Sequence, residues 1–178
     1  RRQHRFSSSR TLPGQPWASR RCGSSGVTLA LLRALTSATG FLRSLPLAEL
    51  RNGAAEIIKH GCIKDAAMFK ELQSHDLDFY KKKKVPVCEL IQRNAKIKLR
   101  VVQQDEFEQA DRKLLNFGHT LGHALENQYD LSHGQAISIG MNYASKISQK
   151  LLGVKQTDAV VKTLQQYGLP TDMSFDKQ

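Results

Sequence analysis

Acidic residues are missing from the first 48 positions of this 178-residue chain, a stretch that holds eight Arg and no Lys. Cysteine is scarce. Cys22, Cys62 and Cys88 are widely spaced, form no CxxC pair and give an odd count, which excludes a closed disulfide framework. That usage fits a reducing compartment and ordinary thiols. Aromatic residues make up 7% of the chain and hydrophobic residues 40%, the balance of a soluble, aliphatic, helical protein. No apolar run approaches the ~20 residues of a membrane-spanning helix. The stretch from Val27 to Leu35 is interrupted by Thr28 and Arg33. Alternating strand patterns, internal repeats and a glycine-rich phosphate loop are all lacking. The expected fold class is all-α, with no membrane segment and a cytoplasmic location.

Charge is present but unevenly placed. The formal net charge of +11 invites a nucleic-acid reading, yet residues 49–178 hold 15 Lys and 4 Arg against all 16 acids. The basic character therefore belongs to the leader, and the remainder has a nearly balanced surface. Nucleic-acid binding would rest on that leader and on Lys81 to Lys84, and its affinity would fall steeply with salt. Residues 1–40 are rich in Ser, Arg and Gly and show little periodicity. Three readings compete for them: a transit peptide, a disordered basic tail, or non-native coding from a shifted reading frame. The expected organisation is a leader over 1–40 and a helical domain over 41–178.

From Phe41 the periodicity is helical. Leu47 to Leu50 lead through Arg51-Asn52-Gly53 into Ala54 to Lys59, and a second run covers Asp65 to Gln73. The tetralysine run reads as a solvated loop. Pro86 is suited to a helix start, with a helix from about Val87 to Gln103 carrying Leu90, Ile91, Ala95, Ile97, Val101 and Val102 as apolar positions. Asp105 to Asp111 reads as a polar connection and Arg112 to Asn127 as a helix rich in histidine. His133 to Leu152 is long and apolar, with Gly153 as its C-cap, and Asp158 to Tyr167 ends at Gly168 and Pro170.

The histidine segment, Asn116-Phe117-Gly118-His119-Thr120-Leu121-Gly122-His123, places two imidazoles four residues apart on one helix face, with His133-Gly134 following. Such groups can converge on a divalent cation, since catalytic zinc commonly takes three ligands from His, Asp and Glu. On spacing alone His119 and His123 are the natural pair. Two satisfied core histidines are the competing reading, at about even odds. Gly118 and Gly122, also four apart, would let a second helix or a ligand approach closely. Glu56 and Lys59 read as a solvated i,i+3 ion pair worth a few tenths of a kcal/mol. Lys98, Glu108 and Arg112 read as exposed charges.

Taken together, these pieces resemble the C-terminal domain of 3-dehydroquinate synthases. The matching segments are Phe41 to Pro46, Arg51 to Gly61, Lys98 to Glu108, Arg112 to His123 and His133 to Met141, in that order. The resemblance implies a helical domain of a two-domain enzyme, with an α/β NAD-binding domain before it. It implies Glu56, His119 and His133 as ligands of a divalent zinc or cobalt ion. It implies His123, Lys59 and Glu108 as catalytic residues, and Lys98, Arg112 and Asn116 as substrate-binding residues. The implied substrate, 3-deoxy-D-arabino-heptulosonate 7-phosphate, carries a carboxylate and a phosphate that need cationic partners. In the family, NAD takes a hydride, phosphate is eliminated, the hydride returns and an aldol step closes the ring. A homodimer is implied for the complete enzyme.

The pattern departs from the family in three places. Residues 1–40 contain no NAD loop, the chain stops at Gln178 before a further lysine-bearing segment, and Gln135 stands where many members have Glu. The expectation is a partial enzyme that binds metal weakly and turns over nothing alone. Other readings are a related sugar-phosphate cyclase (a deoxy-inosose or valiolone synthase), a non-catalytic fragment, or a basic nucleic-acid-binding protein.

Overall fold

The computed structural model describes residue 42, residues 44–104 and residues 111–173, without the side chains at 102, 104, 111 and 112. Residues 1–40, the 105–110 part of the expected connection, Glu108 and the Arg112 side chain therefore lie outside the described residues. Among the described residues there is no strand. Seven α-helices run in order: α1 (Leu47–Lys64), α2 (Ala66–Ser74), α3 (Leu77–Lys82), α4 (Lys84–Gln104), α5 (His119–Gln128), α6 (His133–Leu152) and α7 (Thr157–Gln166). A 3-10 helix, Asp111–Asn116, precedes α5. No described helix is long and apolar enough to cross a membrane.

The helix ends follow from local chemistry. Asp65 caps α2 by accepting the Met68 N–H at 2.8 Å, and Asp76 caps α3 by accepting that of Phe79 at 2.8 Å. The Asp65 carboxylate also takes the Arg93 guanidinium through both oxygens at 3.0 Å, which ties the start of α2 to α4. Gly153 closes α6 at φ 69°, as expected, and Gly168 ends α7 at φ 69°. The tetralysine run is a helix junction rather than a loop. Lys81 and Lys82 end α3 and Lys84 opens α4, so the cations sit near the carbonyl end of α3, where they are favoured.

The histidine segment is not one helix over Arg112 to Asn127. It breaks at Gly118, which has φ 80°, and α5 starts at His119. The cause is packing: Gly118 lies so close to α6 that an added Cβ would stand 2.6 Å from Met141 Cγ and 2.7 Å from the Ile137 carbonyl. From the other side, a Cβ on Gly140 would meet the Gly118 carbonyl, and one on Gly122 would lie 3.1 Å from Ile137 Cα. The close approach expected of Gly118 and Gly122 is thus made by α6. That helix is the centre of the fold and packs on α5, α1 and α7. Ile58, Leu72, Ile137, Met141 and Leu164 are fully buried around it, each contributing roughly 1.5–3 kcal/mol.

Candidate metal centre

Three helices bring three donor side chains together. Glu56 lies near the middle of α1, while His119 and His133 are the first residues of α5 and α6. Glu56 Oε1 stands 3.3 Å from His119 Nε2 and 3.4 Å from His133 Nε2. All three donor atoms fall within 4.8 Å of one another. The register comes from Asn52, one turn before Glu56. Its Oδ1 accepts the Ser132 hydroxyl at 2.8 Å and the Gly134 N–H at 3.1 Å, which fastens the start of α6 to α1. Gly134 makes this possible, since a Cβ there would sit 2.5 Å from Asn52 Cα. Gln135 has a local role: its Oε1 accepts the Ser132 N–H at 2.9 Å, the reciprocal part of a capping box.

Each ligand-type histidine also has an acceptor on the side away from Glu56. His119 Nδ1 lies 3.2 Å from the Phe117 carbonyl, and His133 Nδ1 lies 3.2 Å from Glu126 Oε2. A carbonyl and an ionised carboxylate only accept, so both contacts favour a proton on Nδ1. The contact with His133 lowers the Glu126 carboxyl, burial opposes this, and the contact with His123 lowers it further, which favours its ionised form. With the proton of each ring on Nδ1, two Nε2 lone pairs and a Glu56 oxygen would face one point. In that state three acceptors face each other and call for a cation among them, whereas without one a proton on His119 Nε2 serves as the donor to Glu56. The spacing also suits a cation, because a tetrahedral ion with bonds of about 2.0–2.1 Å has donor–donor edges of about 3.3 Å.

Glu56 and Lys59 are not a solvated pair. Lys59 is 3% exposed, and its Nζ holds Glu56 Oε2 at 2.8 Å. Burial alone would raise the Glu56 carboxyl, but hydrogen bonds from His119 and Lys59 and the charges of both groups hold it well below the usual carboxylate range. Burial pushes Lys59 down from its ordinary value and the Lys98 charge adds to this, while Glu56 opposes both. Lys98 itself is exposed on α4.

The structure does not gather every expected residue beside Glu56, His119 and His133. His123 stacks edge-on against His119, with ring centroids 5.3 Å apart, yet its Nδ1 faces Glu126 Oε2 at 3.5 Å rather than Glu56. The i,i+4 pair is therefore divided between the two carboxylates. Asn116 lines a groove of about 610 Å³ with Ile63, Phe117, Leu121, Tyr143 and Ile147, and none of Glu56, His119 and His133 borders it. Nor does any of the three border an apolar cavity of about 200 Å³ lined by Leu50, Ile57, Leu72, Tyr80 and Leu90. Cys62 is an ordinary thiol, pushed up to about 12 by burial. Sequence reasoning missed Asn52 and Glu126. Their signals are positional: Asn52 is one turn before Glu56, and Glu126 is i+3 from His123 and i+7 from His119.

The family model described as 3-dehydroquinate synthase C-terminal matches residues 53–178. The chain belongs to this family. Among curated 3-dehydroquinate synthases, it is 41% identical to that of Clostridium perfringens (strain 13 / Type A) over 142 residues, 76% of this chain and 39% of the relative. It is 43% identical to that of Listeria monocytogenes serovar 1/2a over 145 residues, 78% of this chain and 38% of the relative. It is 35% identical to that of Xanthomonas oryzae pv. oryzae (strain MAFF 311018) over 151 residues, 79% of this chain and 41% of the relative. The chain thus spans about two fifths of the length of these 3-dehydroquinate synthases, and its all-helical architecture agrees with the C-terminal family domain.

Proposed function

We propose that this chain is the metal- and substrate-binding half of a 3-dehydroquinate synthase of the shikimate pathway. The complete enzyme would convert 3-deoxy-D-arabino-heptulosonate 7-phosphate to 3-dehydroquinate and phosphate, acting as a phosphate-eliminating lyase. The observation that carries this reading is the convergence of Glu56, His119 and His133, with potential ligand atoms within 4.8 Å, in a chain of that family. The donor set suits zinc or cobalt. When bound, such a cation supplies a Lewis acid that polarises a substrate hydroxyl.

The chain's own residues do the rest. The Phe117 carbonyl and the Glu126 carboxylate hold the ring protons outward, which keeps both Nε2 atoms available. Lys59 and Lys98 offer positive charge for the substrate's carboxylate and phosphate, and Arg112 and Asn116 join them by their place in the motif. His123, 59% exposed at its side chain, would exchange a proton with bound substrate, and Glu108 would join it by its place in the motif. NAD does not fit the described residues, which contain no strand and no glycine-rich loop to hold a dinucleotide. A homodimer and a cytoplasmic setting follow from the same family reading, as does the absence of turnover by these residues alone.

The test is phosphate release from the heptulosonate phosphate with NAD and Zn²⁺. Two proteins are compared: the 178-residue chain, and the chain joined to the remaining part of the Clostridium perfringens relative. The joined protein should release phosphate and lose at least a hundredfold in kcat on Glu56→Gln. The chain alone should release none. Normal turnover by the chain alone would overturn the half-enzyme reading, and an active Glu56→Gln variant would overturn the metal assignment.

A further inference from the structure

We propose that Glu126 is a positioning residue that fixes the tautomer of His133 and, through the same oxygen, tethers His123. The inference rests on the metal-centre reading and deepens it. Glu126 lies on α5, and its Oε2 is 3.2 Å from His133 Nδ1 on α6 and 3.5 Å from His123 Nδ1 one turn away. One carboxylate oxygen thus joins a ligand histidine to the histidine on the solvent side.

The two ligand histidines are held differently. His119 is oriented by the Phe117 carbonyl, a backbone group that no substitution removes. Among the described residues, the acceptor for His133 Nδ1 is the Glu126 side chain. A neutral imidazole with no acceptor at Nδ1 prefers its proton on Nε2. In His133 that is the atom facing Glu56, so the wrong tautomer would point N–H where a lone pair is needed. Glu126 prevents this. The geometry also permits a rival: His123, Glu126 and His133 form a second group with donor atoms within 4.8 Å. A cation there would need His133 Nδ1 as a ligand instead of a donor. The 3.2 Å contact fits an N–H of His133 donating to that oxygen, the 3.5 Å contact is a looser charge contact of His123, and His133 Nε2 already faces the first group, so positioning is the better account.

The experiment titrates the full 178-residue chain with Zn²⁺ against a fluorescent chelator. Alongside it, long-range ¹H–¹⁵N spectra of the metal-free chain report each histidine's tautomer. Glu126→Ala should lower zinc affinity about tenfold to a hundredfold, the usual effect of losing an outer partner. It should also move His133 toward the Nε2–H form. Glu126→Gln keeps an acceptor oxygen and should lose less. As an isosteric change at a half-exposed position, it also keeps the comparison valid should the alanine variant lose helicity by circular dichroism. Zinc affinity within twofold of wild type together with an unmoved His133 tautomer would overturn the proposal. So would two zinc ions per wild-type chain, which would turn Glu126 and His133 Nδ1 into ligands. Glu56→Gln separates the two levels. If it weakens binding while the Glu126 variants do not, only the positioning role fails; if it does not, the metal centre itself fails.

Discussion

His60 is 2% exposed, and its Nδ1 meets Asn94 Oδ1 at 2.5 Å, next in sequence to the buried Lys59. Burial pushes its pKa down, the Asn94 contact opposes this, and the Lys59 and Lys98 charges push it down further against Glu56. As pH falls past the ordinary histidine value of about 6.5, the unfolded chain takes up a proton that the folded chain refuses. The stability tied to His60 is therefore complete above that value and declines below it, by at most about 1.4 kcal/mol per pH unit for one proton. Urea midpoints of the metal-free chain between pH 7.5 and 5 should fall in the wild type and fall less in His60→Gln. Equal slopes would assign the decline to another group. Sequence motifs made Glu56, His119 and His133 legible because each is a donor type set in a recognisable run. Glu126 was not legible: its partner is the second nitrogen of a histidine on another helix, a relation no spacing expresses. The burial of Lys59 was hidden for a similar reason. A Glu and a Lys three apart look alike on a wet face and on a dry one.

At the level of elements, the site depends on how closely α5 crosses α6. Gly118 and Gly140 meet backbone to backbone, and a Cβ on Gly140 would fall inside the Gly118 carbonyl. Gly140→Ala must then push the helices apart, and His119 begins the helix that moves while His133 begins the one it leaves. We expect a loss of about 3 kcal/mol, at the upper end for overpacking a close contact, with weaker zinc binding from the spread donor triangle. Urea unfolding and zinc titration of the same variant check both, and an unchanged zinc affinity would show that the crossing does not set the donor spacing. Periodicity and caps made α6 readable to its last residue, because an apolar run and a C-terminal glycine mark it. The interruption at Gly118 was not readable. Arg112 to Asn127 carries a helical pattern, and the left-handed turn is imposed by Ile137 and Met141 some twenty residues later. The short α3 was missed as well: six residues between Asp76 and Lys83 are too few for a period to show.

For the molecule as a whole, the site joins segments that are far apart in the chain. Glu56 and His133 are 77 positions apart, so the donor triangle exists only when α1, α5 and α6 are docked. A cation that binds the docked helices and not the open chain must stabilise the fold by RT ln(1 + [L]/Kd), about 2.7 kcal/mol at a hundredfold excess over Kd. For a chain of this size that is a rise of roughly 5–10 °C in Tm. Zinc should therefore raise the Tm of the wild type by that amount and leave Glu56→Gln nearly unmoved. NAD at millimolar concentration should leave both unmoved, because the described residues offer no strand edge or glycine-rich turn against which a dinucleotide could lie. The two ligands thus test different claims on one instrument. A zinc shift that survives Glu56→Gln would place the ion elsewhere, whereas a NAD shift would mean that residues outside the described helices already form a cofactor site.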